Sequence, residues 1–139
     1  MNPWERTYTF CGTPEYIAPE IVQNKGYGYP VDWYAFGIFL YEMMIGRPPF
    51  MDKDPYNIFK KVINEKIKFT RDFDPEAKDL IKKLCHHDLS KRLGNLLGGA
   101  SDIQNHDFFK NINLENLLTM KNEAYYVPME KDAVEFHGI

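Results

Sequence analysis

The sequence predicts a mainly α-helical fold with no substantial sheet, and three observations carry that reading. Asp54-Pro55 and Asp74-Pro75 each place an N-cap carboxylate before a first-turn proline, ahead of apolar residues at helical spacing. Between residues 31 and 45 nearly every position is apolar, and Gly46 follows, which suits a left-handed C-terminal cap. No run alternates apolar and polar residues for long enough to make a half-buried strand.

In chain order, residues 1–30 carry Pro3, Gly12, Pro14, Pro19, Gly26, Gly28 and Pro30, so loop dominates, with a short helix at residues 19–23. Residues 31–45 predict a helix apolar on all sides, hence central and buried. Its uncharged run, residues 33–41, is far shorter than the ~20 residues that a bilayer span needs. After Asp54-Pro55, Ile58, Phe59, Val62 and Ile63 share one face. After Asp74-Pro75, the stripe is Ala77, Leu80, Ile81, Leu84 and Cys85. Ser101 and Gln104 have capping-box spacing ahead of Phe108 and Phe109, and Leu114, Leu117 and Leu118 predict one more short helix. From Met120 the periodicity fades, and disorder is expected beyond Pro128.

At 139 residues, 44% hydrophobic and 27% charged, the chain fits one soluble, globular domain. A net charge of -3 supplies no basic field for nucleic acid. Cys11 and Cys85 are too few for a disulfide framework or a zinc pattern, so a reduced, intracellular setting is expected. Residues 1–6 lack the apolar core of a secretion signal.

The chemistry-bearing motif is Cys11-Gly12-Thr13-Pro14-Glu15-Tyr16-Ile17-Ala18-Pro19-Glu20, which contains the Ala-Pro-Glu that closes kinase activation segments. Thr7-Tyr8-Thr9-Phe10 precedes it. Val31-Asp32-Trp33-Tyr34-Ala35-Phe36-Gly37, Tyr41-Glu42-Met43, Gly46-Arg47-Pro48-Pro49-Phe50 and Asp88-Leu89-Ser90-Lys91-Arg92-Leu93-Gly94-Asn95 follow in order. Over residues 5–128 the chain resembles the AGC group of serine/threonine protein kinases, in particular the catalytic subunits of cAMP-dependent kinases. The resemblance implies the helical large-lobe portion of a protein-kinase-like fold at residues 1–118, and the start of an AGC-type C-terminal tail, poorly ordered, at residues 119–139.

The resemblance also implies residue roles. Thr9 matches the activation-loop phosphorylation site, with Thr7 a weaker candidate; phosphate adds about two negative charges there for a basic cluster to hold. Phe10, Pro14 and Ile17 match the apolar pocket for the substrate residue after the phospho-acceptor, with Phe10 in place of the family's usual leucine. Glu15 and Glu42 match carboxylates that contact basic substrate residues ahead of the acceptor. Glu42 interrupts an apolar helix, where a carboxylate needs a cation if buried. Glu20 and Arg92 match a structural ion pair, and Arg suits it because its fork meets a carboxylate at two points. Thr13 and Asp32 match structural positions that meet the catalytic loop, and Tyr8 and Phe59 match positions that dock a regulatory subunit.

Phosphoryl transfer needs a phosphate loop, a lysine, a base and magnesium ligands. Gly26-Tyr27-Gly28 ends in Val31 where a third glycine belongs, and no Val-Ala-Ile-Lys block is present. His86-His87-Asp88-Leu89 lacks the arginine and asparagine of a catalytic loop and follows Ala-Pro-Glu instead of preceding it. Asp72-Phe73-Asp74 is not Asp-Phe-Gly, and Asp74 reads as a helix cap. No residue of these 139 is therefore expected to be catalytic or to bind a cofactor or metal, whereas ATP and Mg2+ are implied for the full-length family. The expected function is that of part of a serine/threonine kinase, inactive by itself, acting on protein substrates with basic residues before Ser or Thr. The alternatives are a non-catalytic module that engages kinase substrates or a regulatory or inhibitor subunit, and a non-functional remnant. The resemblance places the protein in the cytoplasm, with the nucleus as a further compartment.

Overall fold

The structure is a computed structural model that describes residues 5–8 and 10–127. Thr9 and the expected disorder beyond Pro128 lie outside the described residues. Two compact units divide the chain, Met1–Phe109 and Lys110–Ile139.

In the first unit, a 3-10 turn (Pro14–Tyr16) leads to α1 (Pro19–Val22), α2 (Pro30–Ile45), α3 (Pro55–Asn64), α4 (Pro75–Leu84), α5 (Ala100–Gln104) and a final 3-10 turn (Asp107–Phe109). Among the described residues there is no sheet. An isolated antiparallel bridge joins Thr7 to Tyr27, with N–H···O distances of 2.7 and 2.9 Å.

Local chemistry sets the helix ends. Asp54 accepts from the Tyr56 N–H at 2.9 Å and Asp74 from the Ala77 N–H at 2.7 Å, so each carboxylate satisfies a donor that the first turn leaves free. Gly46 ends α2 at φ 86°, a left-handed conformation that costs a side chain dearly. The capping box expected at Ser101 and Gln104 does not form. Gly99 is the N-cap of α5 at φ 55°, and Ser101 already lies inside the first turn, where its hydroxyl is past the capping position.

α2 crosses α4, and the core forms where they meet: Tyr34 and Ile38 on one side, Leu80, Ile81 and Leu84 on the other. Gly37 permits the close approach, since a Cβ there would stand 2.9 Å from Leu84 Cβ and 2.5 Å from Cys85 Sγ. Tyr41 stacks on Phe73 at 5.7 Å and donates its hydroxyl to the Lys68 carbonyl at 2.9 Å, which holds the loop between α3 and α4 on α2. The expectation of a uniformly buried α2 needs correction. Phe39 and Met43 are 48% and 57% exposed because α4 covers only the opposite face. The second unit contains α6 (Leu114–Leu118), capped by Asn113, whose side chain accepts from the Asn116 N–H at 3.0 Å.

Candidate functional site

The site is built on the segment from Phe10 to Glu20. Gly12 is at φ 120°, which turns the chain into the 3-10 turn, and Thr13 supplies the carbonyl that accepts from the Tyr16 N–H at 3.0 Å. Pro14 and Pro19 each start a helical turn, where their missing N–H is no loss. Ile17 is buried in the core, whereas Pro14 and Glu15 are half-exposed and Phe10 is 56% exposed. Of the three residues expected in an apolar pocket, Phe10 and Pro14 thus present surface, and Ile17 lies beneath.

Phe10 meets Phe59 of α3 edge to face, with centroids 5.5 Å apart. The structure therefore joins a residue read as substrate-contacting to one read as regulator-docking. Tyr8, exposed, lies over Gly26: a Cβ at Gly26 would stand 2.8 Å from its ring. The Tyr27 phenol pKa is raised above its ordinary range, by desolvation first and by the neighbouring Cys11 second.

Glu20 and Arg92 come together in the core. Arg92 Nη1 lies 2.6 Å from Glu20 Oε1 and Nη2 3.0 Å from Oε2. Arg92 also donates through Nε to the His86 carbonyl at 2.8 Å and through Nη1 to the Pro30 carbonyl at 3.2 Å. Its guanidinium stands 5.4 Å from the Tyr34 ring centre. Buried at 0% exposure, it has its charge met by Glu20 and each of its three nitrogens hydrogen-bonded to protein, which is the condition for tolerating a buried charge. One side chain thus fastens α1, the start of α2 and the chain beyond α4.

Glu42 is half-exposed and not buried, so desolvation does not force an internal partner on it. Neither Glu15 nor Glu42 pairs with a cation among the described residues. Asp32 is exposed in the first turn of α2, where the helix dipole favours its charge. Thr13 is exposed and Thr9 lies outside the described residues.

The kinase-like decoys have local roles. Asp88 accepts from the Ser90 hydroxyl at 2.7 Å and from the Ser90 N–H at 3.0 Å, and these bonds hold its carboxyl below the usual range. Phe73 is buried against Tyr41 and Phe69, and Asp74 caps α4. Among the described residues no three His, Cys, Asp or Glu stand close enough to hold a metal ion. No described helix is long and apolar enough to cross a membrane.

Sequence reasoning missed the Pro30 and His86 carbonyls and the Tyr34 ring around Arg92. A backbone carbonyl carries no residue signature, so no signal could have revealed the first two. Tyr34 was visible only as one apolar position of α2.

Residues 1–109 match the family model described as the protein kinase domain. The chain is 49% identical over 124 residues to cAMP-dependent protein kinase catalytic subunit 3 of Drosophila melanogaster, which covers 89% of this chain and 21% of that protein. It is 47% identical over 124 residues to the human cAMP-dependent protein kinase catalytic subunit PRKX, covering 89% of this chain and 35% of that one. With cAMP-dependent protein kinase type 3 of Saccharomyces cerevisiae it shares 46% identity over 122 residues, 88% of this chain and 31% of the relative. The chain spans between a fifth and about a third of the length of these relatives.

Proposed function

The chain belongs to the protein kinase domain family, and from that premise we propose that it is the activation-segment and substrate-docking part of a serine/threonine kinase. The whole kinase transfers the γ-phosphoryl group of ATP to Ser or Thr in proteins that carry basic residues ahead of the acceptor. The observation that carries this reading is the pair of half-exposed carboxylates, Glu15 and Glu42, with no internal cation among the described residues. Unpaired surface carboxylates on a rigid frame are suited to select basic peptides by charge complementarity. Phe10 and Pro14 offer apolar surface for the residue after the acceptor, with Ile17 as support from below.

The family uses ATP and Mg2+, and no residue here is assigned to either. Docking is the role of this part. Thr9 is the proposed phosphorylation site, and Thr13 and Asp32, both exposed, are the proposed contacts to the catalytic loop of the whole kinase. Tyr8 and Phe59 form the proposed regulator-docking aromatics, and residues 119–139 the proposed start of the tail.

A chimera tests the reading. Residues 5–128 replace the matching stretch of the Drosophila relative, and peptide phosphorylation is measured beside the 139-residue chain alone. The chimera is expected to phosphorylate a serine peptide with arginines before the acceptor, and the isolated chain is expected to transfer nothing. Glu42→Gln in the chimera should raise KM for that peptide on the order of tenfold with little change in kcat. A chimera that binds ATP but modifies no peptide, or that uses arginine-free peptides equally well, contradicts the assignment.

A further inference from the structure

A concave cavity of about 710 Å³ opens where the loop between α3 and α4 passes over α2 and α4. Its apolar wall comes from Tyr34, Phe50, Ile67 and Phe69, and its charged rim from Lys66, Lys78 and Lys82 against one carboxylate, Glu65. Three lysines against one glutamate make the rim basic, in a chain whose net charge is -3. The volume lies within the range of small-molecule sites.

Lys78 and Lys82 are one turn apart on α4 and lean over the same ring: their Nζ atoms are 5.5 and 5.8 Å from the Phe69 centroid. Like charges at this spacing repel. Neither forms an ion pair with a described residue. By contrast, Lys61, Lys83 and Lys91 have Asp52, Asp79 and Asp88 at 3.2, 2.6 and 3.9 Å. His86 lines the same cavity, and its Nδ1 accepts from the Asp88 N–H at 3.1 Å, so the neutral ring carries its hydrogen on Nε2 as a further donor.

We propose that this cavity binds a small aromatic anion, an aryl ring bearing a phosphate or carboxylate, with the charge between Lys78 and Lys82 and the ring against Phe69 and Ile67. An anion placed there relieves the repulsion of the two ammonium groups and gains charge-assisted hydrogen bonds from both. The ring replaces water on the apolar wall, and Phe69 is held for it by its edge-to-face contact with Phe73, centroids 4.9 Å apart. The site is separate from Glu15 and Glu42 and does not depend on the docking role proposed for them.

Calorimetric titration of the 139-residue chain with 1-naphthyl phosphate tests this, with 1-naphthol and inorganic phosphate as parallel arms. The phosphate ester should bind about tenfold more tightly than either arm, because only it uses both the wall and the lysines. The double variant Lys78→Gln/Lys82→Gln should lose about tenfold, and Lys60→Gln, an exposed lysine of α3, should lose nothing. Equal affinity for 1-naphthol or for inorganic phosphate alone, or an unchanged double variant, overturns the proposal. If the double variant does not fold, chemical shifts in the unmodified chain decide. Ligand-dependent shifts at Phe69, Lys82 and His86 support the site, and shifts confined elsewhere overturn it.

Discussion

Arg92 meets Glu20 with both prongs of its guanidinium, at 2.6 and 3.0 Å, across 72 positions of sequence. The carboxylate sits in α1, directly after the Ala18-Pro19 turn, and the arginine in the irregular chain after α4. Because Arg92 also donates to the Pro30 and His86 carbonyls, its loss would leave the Glu20 carboxylate and the His86 carbonyl without this donor and take a second bond from the Pro30 carbonyl.

Arg92→Ala should therefore cost about 3–5 kcal/mol, the usual penalty for leaving one partner of a buried pair uncompensated. Lys91→Ala, at an exposed neighbour 3.9 Å from Asp88, should cost under about 0.5 kcal/mol. Arg92→Lys should recover only part of the loss, since a point charge cannot bridge both oxygens. Urea melts of the three variants give the comparison, and equal midpoints for the two alanine variants would refute the role assigned to the pair.

Acidification should weaken the fold through His87. Partial desolvation of this surface-exposed ring, and then the nearby Arg92 charge, hold its pKa below the ordinary imidazole value of 6.5. A depressed histidine binds fewer protons folded than unfolded, so its contribution is complete above 6.5 and declines as pH falls through the folded pKa. Stability measured from pH 7.5 downward should drop in this window, and His87→Asn should flatten the slope. An identical slope in the variant would assign the effect to other groups.

Gly37→Ala should separate α2 from α4. The added methyl collides with Cys85 Sγ and Leu84 Cβ, and Leu84 is fully buried and cannot swing away. Overpacking of this kind costs about 1–3 kcal/mol. Gly46→Ala should also destabilise, but by a different route, since its site is open space and only the φ of 86° resists a side chain. A double variant additive in thermal melts would fit two independent causes.

The outer face of α2 should drive self-association. Phe39 and Met43, one turn apart, are 48% and 57% exposed, and Met44 beside them is 42% exposed. Contiguous apolar surface of this kind favours contact between copies. Phe39→Gln/Met43→Gln should shift the chain toward monomer in analytical ultracentrifugation while its helical circular dichroism stays constant. An unchanged distribution of species would show that association, if present, uses another surface.

The helices of the first unit were legible because their signals are local. Asp54, Asp74 and Gly46 act within four residues of themselves, and the apolar stripes of α3 and α4 face the core at the spacing that the sequence displays. Ser101 shows the limit of such reading: its spacing to Gln104 is that of a capping box, but the backbone at Gly99 starts the helix before it. The candidate site divides in the same way. Family motifs named Glu20, Arg92, Phe10 and Glu42, and the residue types alone explained why an arginine and a carboxylate would pair.

Sequence by itself determined the helical class, the positions of the capped helices and the family of the chain, since each rests on side chains read in order. Tertiary structure alone decided that Arg92 also binds two backbone carbonyls and that Phe10 touches Phe59. It also decided that Glu42 is half-exposed and that Lys78 and Lys82 share one ring above a cavity. Those relations depend on distances between residues far apart in the chain, and on which flank of a uniformly apolar helix its neighbours cover. Neither is set by any local pattern, because the contacts that choose them exist only once α2 and α4 have packed.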